Sequence, residues 1–446
     1  MAKLSPIPLI KKRHHHSEIA DRTPSEWQIW PMDSESANGE VIDAGALKKA
    51  LKNPKKIKFP KNRTIFVSDP HADAEAFEAS LIAAGAVERE FPGLCNLKLT
   101  KSGKKSEIII GGDCLDKGPS NLQLLRSVRH LYRIGAKVTL LAGNHDLRLL
   151  MGLLTLKRES DVGNQHMFVR MGKKVVPLFK EVFTNYLEGT DWQKHVPSEE
   201  ACHKALFPNV EWFDEFPYHA AGVLTAEGVD RELRKMHSKV ESFEHHCQKH
   251  GLSLQMVYAT ALKCQQLFLH KSGEFHWFFS KMRLVEQRGS FLFLHAGLDD
   301  AMCHLLAKKG TKYANKAFHI NLKRRDLFSF YYSPIANTFR TKYRKADLPL
   351  TERGVKMLSK TGVQIIVQGH VNQHGGQRIA VKQGLTHIEA DVTLDINSRK
   401  KEGLKGNGVG ATIIDKKVGI VGLSSDYPKA KVFHPRFIKK MSKKVA

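Results

Sequence analysis

The segment RTIFVSDPHAD (residues 63–73) runs from a short β-branched apolar stretch directly into a cluster of Asp and His residues. Four later segments have the same form: SEIIIGGD (106–113), KVTLLAGN (137–144), SFLFLHAG (290–297) and VQIIVQGH (363–370). Short apolar runs bounded by glycine and polar residues are typical of interior strands. Residues 74–87 and 120–135 lie between the early runs and repeat apolar residues at helical spacing. This alternation of strand and helix predicts a layered α/β fold.

The strand-like runs end at residues that can bind metals or transfer protons. These residues are Asp69 with His71, Asp113, Asn144 with His145, His295, and His370. Because ligands of α/β proteins gather outside the carboxyl ends of the strands, we expect these side chains to converge on one crevice. A mixture of Asp, Asn and His suits divalent ions such as Mn, Fe or Zn better than an all-oxygen calcium site.

The chain outside these runs divides into an arm, an insert and a tail. Residues 1–60 are rich in Pro, Lys and small polar residues, which predicts a basic, flexible arm before a domain over residues 61–426. Longer helical segments such as 168–187 interrupt the strand pattern over about 147–287, and we expect this helical insert to cap the strand ends. Residues 427–446 hold seven Lys or Arg and no acid, which predicts a basic tail.

The composition indicates a soluble protein that favours anionic partners. The chain has 71 Lys and Arg against 45 Asp and Glu, a net charge of +26, so phosphate-bearing ligands, nucleic acid and anionic membrane surfaces all remain open. No run approaches the roughly 18–20 apolar residues needed to cross a bilayer, so we expect no membrane insertion. The N-terminus lacks the apolar core of a secretory signal, and the six cysteines form no CxxC pair. A reducing, cytoplasmic location is the simplest interpretation.

The polar ends of the five runs also match a known family. The segments DPHAD, GGDCLDKG, GNHD, HAGL and GHVNQ, in this order, resemble the signature blocks of calcineurin-like metallophosphoesterases. The resemblance covers about 65–150 and 290–395 and leaves the central insert uncovered. It implies a layered metallophosphoesterase-type β-sandwich flanked by helices.

The resemblance also implies roles for individual residues. Six of them match the family's metal ligands: Asp69 and His71 for the first ion, Asn144, His295 and His370 for the second, and Asp113 for both. Two divalent ions, expected to be Mn or Fe/Zn, would hold a bridging hydroxide that attacks the phosphate. His145 resembles the general acid that protonates the leaving oxygen. Asp116 resembles its partner, which orients the imidazole and favours its charged form.

Several positions depart from the family pattern. Lys117 stands where the serine/threonine phosphatase branch has Arg, and it can neutralise phosphate without gripping it bidentately. Arg340 is a loose match to a phosphate-binding Arg ahead of the last block. Asn372 replaces a His of many phosphodiesterases, which favours the phosphoprotein phosphatase-like branch and leaves His374 as a possible substitute. Ala72 replaces a family glycine, a change that is tolerated unless the backbone requires a positive φ.

The leading hypothesis is therefore a two-metal-dependent enzyme that hydrolyses a phosphate monoester on a phosphoprotein, a nucleotide or a small molecule. Cleavage of dinucleoside polyphosphates and phosphodiesterase activity remain open. A third alternative is a basic nucleic-acid-binding protein on the same fold. The intact ligand set favours an enzyme, because a binding protein has no need of all six residues together.

Overall fold

The computed structural model describes residues 17–31, 44–51, 57–156, 161–324 and 326–435. Their strands are β1 Trp27–Ile29, β2 Thr64–Val67, β3 Val87–Arg89, β4 Leu97–Leu99, β5 Glu107–Ile110, β6 Lys137–Leu141, β7 Met282–Arg283, β8 Val285–Arg288, β9 Phe291–Leu294, β10 Ile365–Gln368, β11 Arg378–Lys382, β12 Leu385–Glu389, β13 Gly410–Asp415, β14 Gly419–Ser424 and β15 Ala430–Phe433. Their helices are α1 Ala44–Ala50, α2 Ala74–Ala83, α3 Asn121–Arg133, α4 Asn144–Thr155, α5 Val176–Tyr186, α6 Glu199–Leu206, α7 Val210–Ala220, α8 Ala226–Lys249, α9 Leu254–Phe268, α10 His276–Lys281, α11 Asp300–Lys323, α12 Leu327–Tyr332, α13 Pro334–Asn337, α14 Glu352–Ser359 and α15 Ile396–Lys401.

The five predicted strands are all present, and they divide between two sheets. Strands β2, β5 and β6 are parallel neighbours in an eight-stranded sheet with the order β1-β15-β14-β13-β2-β5-β6-β7. Strands β9 and β10 are parallel neighbours in a five-stranded sheet with the order β11-β12-β10-β9-β8. The mixed α/β architecture confirms the predicted fold class.

Both faces of the central strands are buried, which explains why their sequences are continuously apolar. Phe66 of β2 faces Phe293 of β9 between the two sheets, with ring centroids 5.8 Å apart. Its neighbours Ile65 and Val67 point the other way, into the apolar cluster that includes Phe77 of α2. The sheets therefore form a sandwich with helices packed outside, and the strand ends are held between the two layers.

The chain between β6 and β7 forms the helices α4 to α10. These helices pack on one another, chiefly through α5, α6 and α4 against α9, around buried aromatic residues such as Trp212 and Phe243. The segment 168–187, expected to be a long helix, is interrupted at Gly172, where φ is 69°. Short 3₁₀ turns precede α5 for this reason.

The ends of the domain differ from the expected arm and tail. Strand β1, inside the arm expected over 1–60, pairs in parallel with β15, inside the tail expected over 427–446. Trp30 and Phe433 are buried in the core between the sheets, and this burial holds both segments in place. Lys431, counted as part of the basic tail, is also buried, and its ammonium donates to the carbonyls of Gly375 (2.6 Å) and Gln377 (2.9 Å). Residues 1–16 and 436–446 lie outside the described residues.

Among the helices of the described residues, none combines the length and the apolar character that crossing a membrane requires.

Candidate metal centre

The ends of β2, β5, β6, β9 and β10 bring the predicted metal ligands to one place. Two groups of side chains have ligand atoms that all lie within 4.8 Å of one another: Asp69, His71 and Asp113, and Asp113, His295 and His370. Asp113 belongs to both groups. The structure therefore places this carboxylate between two potential ion positions.

Asp113 is surrounded by imidazole nitrogens. Its Oδ2 lies 3.8 Å from His71 Nε2, and its Oδ1 lies 3.5 Å from His295 Nε2. Asn144 joins the second group, because its Oδ1 lies 3.2 Å from His295 Nε2. On the other side, His71 Nε2 is 4.0 Å from Asp69 Oδ1. These side chains are buried, whereas His370 is half-buried and faces the open side of the centre.

The loops that carry these ligands adopt unusual backbone conformations. φ is positive at Asp69 (53°), His71 (39°), Asp113 (52°) and His370 (69°). Non-glycine residues with positive φ are uncommon, and their clustering marks a site where local strain serves function. Ala72, which replaces a family glycine, also has a positive φ of 53°. Its methyl group is thus accommodated in a conformation that glycine would adopt at lower cost.

Asp146 forms hydrogen bonds to two of the loops that carry the predicted metal ligands. Its Oδ1 accepts hydrogen bonds from the backbone N–H groups of Cys114 (2.9 Å) and Leu115 (3.1 Å), and its Oδ2 accepts from that of Gly143 (3.2 Å). The backbones approach so closely that a Cβ at Gly143 would lie 2.0 Å from Asp113 N. Glycine at 143 and the carboxylate at 146 therefore set the position of the bridging ligand.

The imidazoles are oriented with Nε2 toward the centre. His71 Nδ1 lies 3.1 Å from the Leu115 carbonyl, and His295 Nδ1 lies 2.8 Å from the Gly111 carbonyl. Such carbonyls accept the Nδ1 proton and leave the Nε2 lone pair free for a metal. His370 Nε2 is buried, and among the described residues it has no hydrogen-bond partner. An unpartnered nitrogen of this kind fits an ion.

The electrostatics of the centre also fit cations. Burial and the neighbouring Asp113 raise the pKa of Asp69 to about 7. Burial and the charge of Lys117 lower the pKa of His71 to about 3. The buried carboxylates repel each other, and the imidazoles are neutral. A bound divalent ion stabilises both groups in these protonation states. The residues present therefore fit two divalent ions that share Asp113.

A model of the calcineurin-like phosphoesterases matches residues 63–374, a range that contains all six predicted ligands. The chain belongs to the calcineurin-like phosphoesterase family. It is therefore a metal-dependent phosphoesterase, as the resemblance predicted. Assignment to the phosphoprotein phosphatase-like branch stays a prediction.

No curated protein matches this phosphoesterase. Among solved structures, the cold-active protein tyrosine phosphatase of a psychrophilic Shewanella species is 12% identical with a TM-score of 0.40, covering 85% of this chain and 84% of that chain. A protein serine/threonine phosphatase of Saccharomyces cerevisiae is 11% identical with a TM-score of 0.35, covering 83% and 80% of the two chains. Structural similarity this low shows nothing about the activity of this phosphoesterase.

His145 and Asp116 form a buried pair at the edge of the centre. His145 Nδ1 lies 2.7 Å from Asp116 Oδ2, and its Nε2 lies 4.0 Å from Asp113 Oδ2. Burial lowers the pKa of His145 well below its ordinary value, although Asp113 opposes this shift. Burial and Asp113 raise the pKa of Asp116 to about 7. The predicted contact is present, but without a further anion these surroundings favour the neutral imidazole and not the charged form that we expected.

Lys117 lies against a predicted metal ligand of this phosphoesterase. Its Nζ is 2.6 Å from His71 Nε2, the nitrogen predicted to bind the first ion. An ammonium and a divalent ion would repel each other at such a distance, so binding of an ion to His71 would require Lys117 to withdraw. Its backbone carbonyl accepts a hydrogen bond of 2.7 Å from Asn397 Nδ2, which anchors the loop while the side chain moves.

Arg340 and His374 occupy very different positions. Arg340 lines the same cavity as His370, with its guanidinium carbon 4.7 Å from the centre of the Tyr331 ring. Within the described residues, its buried Nε has no hydrogen-bond partner. His374 is 53% exposed and contacts Glu402, with Nε2 3.2 Å from Oε2. Asn372 donates to the same carboxylate, so Glu402 contacts both residues, and His374 belongs to neither of the two ligand groups.

Two further residues near the centre were missed by the sequence analysis. Arg148 lies one turn beyond His145 on α4 and lines the cavity with His370. A cation three residues after His145, at the start of the insert predicted to be helical, was the available signal. Asp391 is a buried carboxyl just after β12, and burial and the charge of Asp69 raise its pKa well above the ordinary range. It ends the segment THIEAD, in which His387 and Glu389 interrupt the apolar pattern that identified the five runs.

Proposed function

We propose that this protein hydrolyses phosphate monoesters with the aid of two divalent metal ions, Mn or Fe/Zn. The observation that carries the proposal is the position of Asp113, within 4 Å of imidazole nitrogens that belong to two separate ligand groups. A single mononuclear site has no need of a carboxylate shared in this way. Two ions held there supply Lewis-acid stabilisation of the phosphoryl oxygens and a water of lowered pKa.

The proposed ligands hold and space these ions. Asp69 and His71 would hold the first ion, Asp113 would hold both, and the remaining ligands, which would belong to the second ion, are Asn144, His295 and His370. The hydrogen bonds from Nδ1 to backbone carbonyls keep His71 and His295 in the orientation that binding requires.

His145 is the proposed general acid, and Asp116 is its positioning partner. The contact of 2.7 Å between His145 Nδ1 and Asp116 fixes the ring so that Nε2 faces the centre. Proton donation requires the charged imidazole, which burial disfavours. The dianionic phosphate of a monoester supplies the missing negative charge, so we propose that His145 takes up its second proton when substrate binds.

The charge around the centre supports a monoester over a diester. Arg148, Arg340 and Lys342 line the cavity at His370, and a dianion gains more from three cations than a monoanion does. We propose that Arg340 binds a phosphate oxygen, because its unpartnered Nε gives it a free donor in a fixed position. Lys117 is proposed to contact phosphate only after it leaves His71.

Hydrolysis of p-nitrophenyl phosphate and of its bis ester tests the proposal. Metal-stripped protein receives Mn, Mg, Zn or Fe separately, and Asp113→Asn is compared with Asp214→Asn, which changes an exposed carboxylate on α7. We expect metal-restored turnover of the monoester in wild type and Asp214→Asn, and its loss in Asp113→Asn. Preference for the bis ester would replace the monoesterase with a phosphodiesterase, and equal activity of both variants would reject the bridging role.

The broader alternatives are less well supported. Cleavage of dinucleoside polyphosphates and nucleic-acid binding stay predictions. We also propose a cytoplasmic location, because all six cysteines are free thiols, as a reducing compartment requires.

A further inference from the structure

A cavity of about 720 Å³ opens at His370 and extends to the insert. Its walls include Tyr331 of α12, Arg344 of the loop after α13, and Gly228 and Arg231 of α8. Sites for small molecules have volumes of about 300–1,000 Å³. One phosphate group at the metal centre therefore fills only part of this space, and the rest is available to the remainder of the substrate.

The cavity carries a large excess of positive charge. Eight of its lining residues are Lys or Arg, and two are acids. Both acids already contact cations: Glu232 accepts hydrogen bonds of 2.8 and 2.7 Å from Arg170, and Asp347 lies 3.3 Å from Arg344. The other cations have little negative charge to balance them. Such a cavity favours a ligand with several negative charges.

These cations line the cavity from the side of His370 to one face of α8. Lys342 and Arg148 act electrostatically on His370, and Arg148 also acts on Lys239. Arg231, Lys235 and Lys239 follow one another at intervals of four residues on α8, which places Arg231 about 12 Å from Lys239 along the helix axis. The first two of these side chains are exposed.

A row of like charges on one helix face destabilises the helix, because residues four apart are neighbours. Glu232, which lies between Arg231 and Lys235 in the sequence, accepts hydrogen bonds from Arg170 and lies 3.8 Å from Lys235. One carboxylate shared in this way offsets only part of the charge of the row, so an anion from outside the chain would stabilise it. A phosphate at the metal centre lies on the side of Arg148, whereas Arg231 and Lys235 lie farther toward the start of α8 than Lys239 and can take a second anion.

We propose that the substrate is a small molecule with at least two phosphate groups, one bound at the metal centre and the other held by Arg231 and Lys235. This inference rests on the proposed function, because it assigns the far end of the same substrate. The second phosphate belongs to a nucleoside or to a sugar, and the cations recognise the same group in either case. The insert thereby sets specificity.

Calorimetric titration of the metal-stripped full chain tests the second site without relying on turnover. One pair of ligands is adenosine 3′,5′-bisphosphate and adenosine 5′-monophosphate, and the other is fructose 1,6-bisphosphate and fructose 6-phosphate. We expect at least one bisphosphate to bind about tenfold more tightly than its monophosphate, since two charged contacts are added. The pair that shows this preference identifies the nucleoside or the sugar as the source.

Two double variants of α8 provide the matched comparison. Arg231→Gln/Lys235→Gln removes two cations from the cavity face, and Arg234→Gln/Lys249→Gln removes two exposed cations that do not line the cavity. We expect the first variant to lose the preference for the bisphosphate and the second to keep it. Matching melting temperatures show that neither change unfolds the chain.

Three results overturn the second site: equal affinity of wild type for both members of each pair, equal loss in the two double variants, or tighter binding of a 5′-phosphorylated oligonucleotide than of either bisphosphate. The last result would assign the cavity to a nucleic-acid end. If the preference holds while Mn-restored protein leaves p-nitrophenyl phosphate intact, the second site stands and the proposed hydrolysis fails.

Discussion

At the scale of single residues, the His145–Asp116 pair is the proposed source of the proton for the leaving group. The ring is buried and fixed through Nδ1, so Nε2 is the one nitrogen that can give a proton to an oxygen at the centre. General acids of this kind contribute about 10²–10⁴-fold to rate. Their contribution depends on how poorly the oxygen leaves without a proton.

We therefore predict that His145→Gln lowers kcat for phenyl phosphate by about 10²-fold or more, and lowers kcat for p-nitrophenyl phosphate much less. Nitrophenolate leaves readily without protonation, whereas phenolate does not. The measurement is steady-state kinetics on both esters, with His374→Gln as the control because that exposed histidine contacts Glu402. An equal loss on the two esters would show that His145 acts on binding or structure and not as an acid.

A second prediction concerns Lys239, whose pKa is lowered to about 7 by burial and then by Arg148 and Arg170. An unfolded lysine has a pKa of about 10.4, so between these values the unfolded chain binds one more proton and wild-type stability rises with pH. Lys239→Met removes this cost. Its advantage over wild type should be greatest at or below pH 7 and should shrink by roughly 2 kcal/mol by pH 9.

Urea unfolding of both proteins at pH 7 and pH 9 measures this change. Lys235→Met, which replaces an exposed lysine one turn earlier on α8, serves as the control and should show no such dependence. If the difference between Lys239→Met and wild type were the same at both pH values, Lys239 would titrate as an ordinary surface lysine.

The convergence of the predicted metal ligands could be derived from sequence because each of them lies shortly after a strand. Asp69, Asp113 and His295 stand at the ends of apolar runs, where the local sequence pattern already indicates the position of a residue at the end of a strand. The environment of a residue is harder to predict. The ammonium of Lys117 against His71 and the neutral state favoured for His145 both depend on distances between segments far apart in the chain.

At the scale of elements, the first turn of α4 connects two loops through hydrogen bonds. Asp146 accepts three backbone hydrogen bonds there and is completely buried. We predict that Asp146→Ala lowers the free energy of unfolding by about 3 kcal/mol, at roughly 1 kcal/mol for each bond. Because Asp113 lies on one of these loops, metal affinity should fall as well.

Chemical denaturation and metal titration of Asp146→Ala check these two effects together. Asp214→Ala provides the control, since Asp214 is exposed on α7. A stable Asp146→Ala variant with unchanged metal affinity would mean that the strands alone position the loops.

The strands in the middle of the two sheets were predicted accurately, whereas β1 and β15 were not predicted. Strands β2, β9 and β10 are buried along their length, and β5 and β6 are buried toward their carboxyl ends, so their apolar composition identifies them. β1 has only three residues, half-buried or exposed, and its partner β15 contains Lys431. Such short edge strands form through tertiary pairing, which leaves little trace in the local sequence.

At the scale of the whole molecule, the sandwich carries the predicted metal ligands and the insert forms part of the cavity beside them. The two sheets hold a compact, strained set of ligands, which is the part of the protein that the family shares. The insert and the loop after α13 enclose the basic cavity beside it. The sequence analysis predicted that the insert is helical but did not predict its charged face. Helical spacing shows which residues share a face, but only the packed helices show that this face lines the cavity.

The central claim is that Asp113 joins two metal ions. The most direct test is electron paramagnetic resonance of metal-stripped protein titrated with Mn, together with the amount of Mn bound per chain. We predict that wild type binds two Mn ions whose spins are exchange-coupled, as a shared carboxylate at a two-metal spacing requires, and that Asp113→Asn loses the coupled signal. Binding of one Mn ion with the signal of an isolated centre, or a coupled signal that persists in Asp113→Asn, would contradict the account.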